Sequence, residues 1–139
     1  MAIFNKTNQF VEDLGKGVHV FGTHQLKVAL TNTAPVAGNA TYAALTAPLA
    51  TTNLSGATPF NVTTTSYSQT SGTASLVLVD LLLTATGAVG PFRYVVLYND
   101  TPTSPADPLI GWYDYVSSLT MASPETFLVD FAATTITLV

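Results

Sequence analysis

Two histidines and three aspartates are the residues whose types could support chemistry. His19 and His24 lie five positions apart across a predicted turn at Phe21-Gly22. No zinc motif uses this spacing alone, so a metal site would need further ligands from elsewhere in the chain. We therefore interpret both histidines as hydrogen-bonded or solvent-facing turn residues, and we predict no metal and no cofactor.

The three aspartates, Asp80, Asp114 and Asp130, fall within predicted strands. Two carboxylates facing each other across a cleft could hydrolyse a glycosidic bond, so a hydrolase using Asp114 and Asp130 is one hypothesis. Single acids on strands are more often outward polar residues, and Asp80 is expected to pair with Arg93 or with a backbone donor. The sequence lacks a nucleophile elbow, a phosphate loop and a dinucleotide fingerprint. We predict that the protein is not an enzyme.

An aromatic run surrounds one of these aspartates. Trp112, Tyr113 and Tyr115 flank Asp114, and an aromatic ring beside a carboxylate is common in sugar-binding sites. Residues that alternate inside strands are more often part of a core or an interface. Glycan binding through Trp112, Tyr113 and Asp114 is therefore kept as an alternative.

The elements that position these residues are mostly strands. The chain has 23 Thr and 14 Val but only 11 residues of the straight-chain helix formers Glu, Gln, Lys, Arg and Met, which argues against a mostly helical fold. One short helix is predicted, from an N-cap at Thr7 or Asn8 to a stop at Gly15 or Gly17.

The rest of the pattern predicts seven or eight strands. Residues 25–31 alternate, so that Leu26, Val28 and Leu30 should face a core. Residues 73–85 are apolar on both faces and are interpreted as one strand covered on both sides. Hairpins separated by turn residues follow in the second half of the chain.

A long aperiodic segment interrupts this pattern. Residues 32–57 are rich in Ala, Thr, Asn, Pro and Gly, and they are predicted to form a loop that packs on the rest, with Tyr42 and Leu45 anchoring a turn of helix. The predicted fold class is mainly β, an antiparallel β-sandwich or jelly roll with one short N-terminal helix. A single domain is expected over residues 1–139, with an arm and the helix in residues 1–17.

Charge excludes some partners. The net charge is −4, and the chain has four cations, Lys6, Lys16, Lys27 and Arg93, which form no cluster. The sequence therefore lacks the basic patch whose attraction to phosphate groups supplies most of the affinity for nucleic acid. The most apolar run, residues 74–85, is shorter than the roughly twenty residues of a transmembrane helix. No secretory signal is recognised at the N-terminus. We expect a protein made in the cytoplasm that binds neither nucleic acid nor membrane.

The small number of charged residues also indicates how densely charge is spread over the molecular surface. A folded monomer of 14.6 kDa should expose about 6,900 Å², so its twelve charged side chains would lie at roughly one per 575 Å². Ordinary soluble surfaces carry more charge, and charge depletion is typical of the centre of protein interfaces. We predict that other subunits cover much of this surface.

Several stretches resemble small virion proteins of tailed bacteriophages. They include Lys27-Val28-Ala29-Leu30 and Phe92-Arg93-Tyr94, both on predicted core strands. In chain order, the similar stretches are residues 11–19, 26–35, 90–100 and 107–115. The resemblance implies a structural protein of the virion without catalytic residues.

Within that class, the chain is most similar to capsid decoration, or cement, proteins. The resemblance implies a place on the capsid exterior at junctions between capsomers, with the major capsid protein and copies of the chain itself as partners. A head-fibre or tail component that binds host glycans is the alternative. The candidate partner contacts are Ile3, Phe4, Phe10, Leu14, Tyr42 and Leu45. Phe10 and Leu14 could instead seal the end of the sandwich.

Overall fold

A computed structural model describes residues 2–132 and 135–138 of the chain. The fold is mainly β, with 49% strand and 8% helix, and its antiparallel sheets and one helix are consistent with a β-sandwich. The predicted fold class is therefore confirmed. Among the described residues, no helix has the length and apolar character needed to cross a membrane.

One helix, α1 (Asn8–Gly15), lies near the start of the chain. Of the hairpins predicted for the second half, the described residues form the one between residues 89–99 and 109–121, whereas the strands before and after it pair in other sheets. The strands in the described residues are β1 (Ile3–Lys6), β2 (Leu26–Thr31), β3 (Asn61–Val62), β4 (Thr64–Thr70), β5 (Thr73–Leu78), β6 (Leu81–Thr84), β7 (Val89–Asn99), β8 (Leu109–Met121), β9 (Thr126–Val129) and β10 (Ile136–Leu138).

The strands form two layers around one core. The first layer is a five-stranded sheet in the order β1-β8-β7-β2-β3, and the second consists of the sheets β10-β5-β4 and β6-β9. Val28 and Val95 of the first layer share a buried cluster with Leu76 and Leu83 of the second. The alternation predicted for β2 is confirmed, because Leu26, Val28 and Leu30 are all fully buried in this core.

Helix α1 has the predicted bounds and is tied to β8. Thr7 is the N-cap residue, but its hydroxyl does not cap the helix. It lies 3.3 Å from the carbonyl oxygens of both Leu109 and Ile110, while its backbone N–H donates to the Ile110 carbonyl at 3.1 Å. The helix packs its Phe10 side chain into the core with no exposed surface. The chain segment before β2 is thereby fastened to the centre of the large sheet.

The prediction of one strand over residues 73–85 is wrong. The segment forms β5 and β6, which belong to different sheets, with Val79 and Asp80 between them. The Asp80 carboxylate accepts a hydrogen bond from the Phe131 N–H at 2.9 Å, so it takes the backbone-donor alternative and not Arg93. The break reverses the side-chain alternation, because Leu82 is 58% exposed whereas Leu83 is buried.

Two further regions differ from the prediction. The sequence predicts separate strands over residues 109–116 and 118–121, but residues 109–121 form the single strand β8, whose pairing with β7 shifts register at three points. Residues 3–6 form β1, which pairs antiparallel with β8 at the edge of the five-stranded sheet. This pairing places Ile3 opposite Asp114, more than a hundred positions away in the sequence.

The predicted loop covers the outer face of the large sheet. It contains a 3₁₀ turn at Tyr42–Ala44, as expected for a helical turn anchored there. Tyr42 and Leu45 pack on a second cluster of buried residues, with the Tyr42 and Tyr98 rings 5.0 Å apart. The Thr31 hydroxyl fastens the loop by donating to the Thr46 carbonyl at 2.7 Å. The buried members of this second cluster are Ala29, Val96, Tyr98 and Leu109.

Candidate functional site

The two histidines meet at one buried amide. The Asn99 side-chain nitrogen lies 3.1 Å from Nδ1 of His19 and 2.9 Å from Nδ1 of His24. An amide nitrogen only donates, so both imidazoles accept at Nδ1 and carry their proton on Nε2. The Asn99 oxygen accepts from the Thr101 N–H at 3.2 Å. This network orders the loops beside β7, as the interpretation of hydrogen-bonded turn residues requires.

His19 is uncharged in this setting. Only 5% of the residue is exposed. Its pKa is lowered to about 4, mainly by burial, while Asp13 opposes the shift and the nearby His24 contributes to it. Within the described part of the chain, no group of three or more His, Cys, Asp or Glu side chains could hold a metal ion.

Asp114 is part of an ion pair on the outer face of the large sheet. Arg93 donates to it through Nε at 2.7 Å and through Nη2 at 3.0 Å. Hydrogen bonding from Arg93 lowers the pKa of the Asp114 carboxyl, and the Val116 N–H adds to this effect. The Arg93 guanidinium also lies 5.2 Å from the centre of the Tyr94 ring. The Asp114 carboxylate is therefore ionised, and it binds both the Arg93 guanidinium and the Val116 N–H.

The carboxylates required by the hydrolase hypothesis do not face each other. Tyr113 belongs to the core, and its neighbour Asp114 therefore projects away from the core. Asp130 follows β9 in the opposite layer and is exposed. The large sheet separates Asp114 from Asp130, so this pair does not form a cleft of the kind that glycoside hydrolysis uses.

The aromatic residues of the glycan hypothesis are also divided between the two faces. Tyr113 is 5% exposed, and its ring lies 5.1 Å from the Phe4 ring and 6.0 Å from the Phe131 ring. Trp112 lies on the other face, half-buried beside the loop. Only Trp112 and Asp114 of the three proposed residues share a surface.

The six candidate contacts have different degrees of exposure. Ile3 is 74% exposed, whereas Phe10 is completely buried, which corrects its assignment as a contact and favours its role in sealing the sandwich. The other four, Phe4, Leu14, Tyr42 and Leu45, are half-buried and pack against one of the two clusters.

A residue that the sequence analysis did not single out lies beside Ile3. Val116 is 76% exposed, and together with Ile3, Asn5 and Asp114 it lines a shallow depression of about 260 Å³. Its φ is +73°, which is a genuine outlier for a β-branched residue. The Asp114 carboxylate holds this conformation by accepting from the Val116 N–H at 2.8 Å. We call Ile3, Asn5, Asp114 and Val116 the β1 patch.

A second exposed apolar surface lies on the other layer. Leu82 of β6 and Leu128 of β9 are directly opposite each other in the strand pairing. They are 58% and 49% exposed, and Val79 nearby in the chain is 49% exposed. We call these three residues the β6–β9 patch. Its backbone has regular strand pairing through all four residue pairs.

Charge on the molecular surface is sparse and largely paired. The described residues expose 6921 Å², and the chain has twelve charged side chains. Three ion pairs join Lys16 to Glu12, Lys27 to Asp100 and Arg93 to Asp114.

Comparisons with models of protein families, with curated proteins and with solved structures found no match to this chain.

Proposed function

We propose that this protein is a structural component of a tailed-phage virion that decorates and stabilises the capsid exterior at capsomer junctions. The observation that carries the proposal is the exterior itself, where twelve charged side chains share 6921 Å² and six of them neutralise each other in pairs. Charge depletion is typical of surfaces that other proteins cover. The resemblance to virion proteins supports the same reading.

The β1 patch is the proposed contact with the major capsid protein. It combines Ile3 and Val116, two of the most exposed large apolar side chains, with a neutralised ion pair that needs no counter-charge from the partner. Strained backbone conformations persist where the surroundings hold them, and they are concentrated at binding and active sites. Val116 meets this description because Asp114 fixes it while its side chain faces solvent.

The energetics suit a cement protein. Fully burying an aliphatic side chain contributes about 1.5–3 kcal/mol, so each bound copy gains a modest amount at Ile3 and Val116. A protein that binds the assembled shell preferentially stabilises it by mass action. Many weak contacts around the shell, including contacts between copies of this chain, then add to a large effect on the particle.

The test uses heads purified from particles of the virus whose genome encodes the chain. Heads stripped of the chain by a mild dissociant are expected to bind the purified protein again in co-sedimentation and to melt at a higher temperature once it is bound. If the chain stays with tails after heads are removed, or if stripped heads do not bind it, the proposal is wrong.

Matched variants locate the contact. Ile3→Ser and Val116→Ser are each expected to weaken head binding at least about tenfold, because each removes buried apolar area. Leu82→Ser is the control, since Leu82 is 58% exposed on the β6–β9 patch. Loss of binding with Leu82→Ser but not with Ile3→Ser would assign the contact to the opposite layer.

The alternative, a head-fibre or tail component that binds host glycans, has one supporting observation. Trp112 and Asp114 lie on the same face of the large sheet, as in many sugar sites, although Arg93 already holds the carboxylate. A glycan array with the wild type and with Trp112→Ala separates the two functions. Binding that depends on Trp112 would favour the alternative, and a blank array removes its support.

A further inference from the structure

Helix α1 buries a carboxylate that has only half of its hydrogen-bonding capacity used. Asp13 is 3% exposed. Its Oδ1 accepts a hydrogen bond from the Gln9 side-chain amide at 3.1 Å, whereas Oδ2 is buried and has no hydrogen-bond partner among the described residues. An ionised carboxylate removed from water is costly unless it is paired or fully hydrogen-bonded. The Asp13 carboxylate therefore retains the capacity to accept a further hydrogen bond.

The cations of the described chain do not fill this position. Lys16, the nearest in sequence, is bound to Glu12 on the helix surface, and Lys27 and Arg93 are bound to other aspartates. His19 is neutral, since burial lowers its pKa to about 4, and its Nε2 is likewise buried without a hydrogen-bond partner among the described residues, Asp13 included. The donor that Asp13 does have is the uncharged amide of Gln9, on a half-buried side chain that can move aside.

Asp13 also lines a cleft that is large enough to admit a long side chain. The cleft has a volume of about 370 Å³ and lies between the helix and two loops. Val18, Ala40 and Pro105 provide apolar walls, and Thr41 and Ser104 provide hydroxyl groups. Gln9 and Lys16 complete the lining, and the Lys16 ammonium is paired with Glu12. Lysine and arginine side chains bury an apolar stem while their head seeks a polar partner. The cleft provides apolar walls for such a stem and polar groups for its charged head.

We propose that this Asp13 cleft binds a basic side chain, lysine or arginine, presented by a protein partner. The ammonium or guanidinium head donates to the Asp13 carboxylate in place of the Gln9 amide, and the stem packs on Val18 and Pro105. The naming of the partner rests on the proposed function, in which the basic residue belongs to the major capsid protein. The chemistry of the cleft does not depend on that assignment.

The test titrates the isolated full-length chain with the amides of N-acetyl-arginine and N-acetyl-lysine while backbone amide resonances are followed by NMR. The matched probe is the amide of N-acetyl-citrulline, which has nearly the shape of the arginine derivative without its charge. We expect saturable shifts at residues around the cleft, such as Val18 and Thr41, with at least one basic probe. The probe that binds tighter distinguishes arginine from lysine.

Two variants tie the binding to the cleft. Asp13→Asn keeps the size of the side chain and is expected to weaken binding at least about tenfold, because a charge-assisted hydrogen bond is lost. Ala40→Leu leaves the carboxylate intact and fills the cleft, and it is expected to abolish binding even if Asp13→Asn unfolds. Asp130→Asn makes the same change at an exposed carboxylate after β9 in the opposite layer, and as the control it should bind as the wild type does.

Several outcomes would overturn the proposal. They are the absence of saturable shifts with both basic probes, equal binding of the citrulline probe, or unchanged binding by Ala40→Leu. The capsid assignment is judged separately, by co-sedimentation of the wild-type chain with heads. A chain that binds heads but no basic probe disproves only the cleft, and the reverse result disproves only the capsid assignment.

Discussion

At the scale of single residues, the buried amide of Asn99 joins its two histidine neighbours. Its nitrogen donates to Nδ1 of both His19 and His24. A proton on Nδ1 of His19 would place two donors against each other, so this contact and the burial of His19 both favour its neutral ring. The histidines thus have a defined structural task that their five-residue spacing alone did not reveal.

The first prediction concerns acid stability. His19 has a pKa of about 4 in the folded protein and near 6.5 when unfolded, so between these values the unfolded chain binds the extra proton. The contribution is fully present above pH 6.5 and is lost as the pH falls towards 4, a loss of about 3 kcal/mol in the free energy of unfolding. Denaturant unfolding at a series of pH values measures it. His19→Gln should flatten this part of the profile, and equal slopes for both proteins would contradict the assignment.

The second prediction concerns Val116. Its φ of +73° is unfavourable for a β-branched residue and acceptable for asparagine. Val116→Asn is therefore expected to raise the free energy of unfolding by about 1 kcal/mol while weakening binding to heads. Val36→Asn, at another exposed valine whose φ is not positive, should not stabilise the fold. A destabilised Val116→Asn would show that the backbone of β8 at this position does not store strain.

At the scale of elements, the edge strand β1 depends on a glycine in its neighbour. A Cβ added at Gly111 would lie 2.4 Å from the Asn5 carbonyl oxygen and 2.5 Å from the Phe4 ring. Only a residue without a side chain lets β1 lie flat against β8 at this point. The placement of Ile3, and with it the β1 patch, follows from Gly111.

The third prediction is that Gly111→Ala displaces β1. Because the clash is with backbone, the cost is expected to be about 1–3 kcal/mol, and β1 should lose protection from amide hydrogen exchange. Gly38→Ala is the matched control, since a Cβ there meets nothing within 4 Å. Unchanged protection of Phe4 and Asn5 in the Gly111 variant would disprove the close fit.

Elements with strong local patterns could be predicted from the sequence. The alternation of β2 and the limits of α1 are local properties, and both predictions are confirmed. The break at Asp80 depends on the Phe131 N–H, 51 positions away, and β1 depends on β8, so neither had a local signal. In the candidate sites, Ile3 could be predicted to be exposed, whereas the conformation of Val116 and the burial of Asp13 come from tertiary packing.

At the scale of the whole molecule, the core links both ends of the described chain. β1 pairs with β8, and β10 near the other end pairs with β5. Ile136 of β10 and Phe10 of α1 belong to the same buried cluster. The two ends of the described chain therefore contribute to one shared core.

The fourth prediction is cooperative unfolding. Trp112 fluorescence, which reports the outer face beside the loop, and far-ultraviolet circular dichroism should give coincident denaturant transitions. Leu45→Ala, which weakens only the contact between the loop and the sheet, should shift both transitions together to lower denaturant. An earlier fluorescence transition would mean that the loop unfolds as a separate unit.

The pairing of β1 with β8 has a consequence for synthesis on the ribosome. Ile3 is synthesised more than a hundred residues before its partner Asp114. At a synthesis rate of 5–20 residues per second, the first strand waits roughly 5–20 s before its neighbour exists. During that interval Ile3 and Phe4 remain available to nascent-chain chaperones, and slower translation should lengthen their exposure.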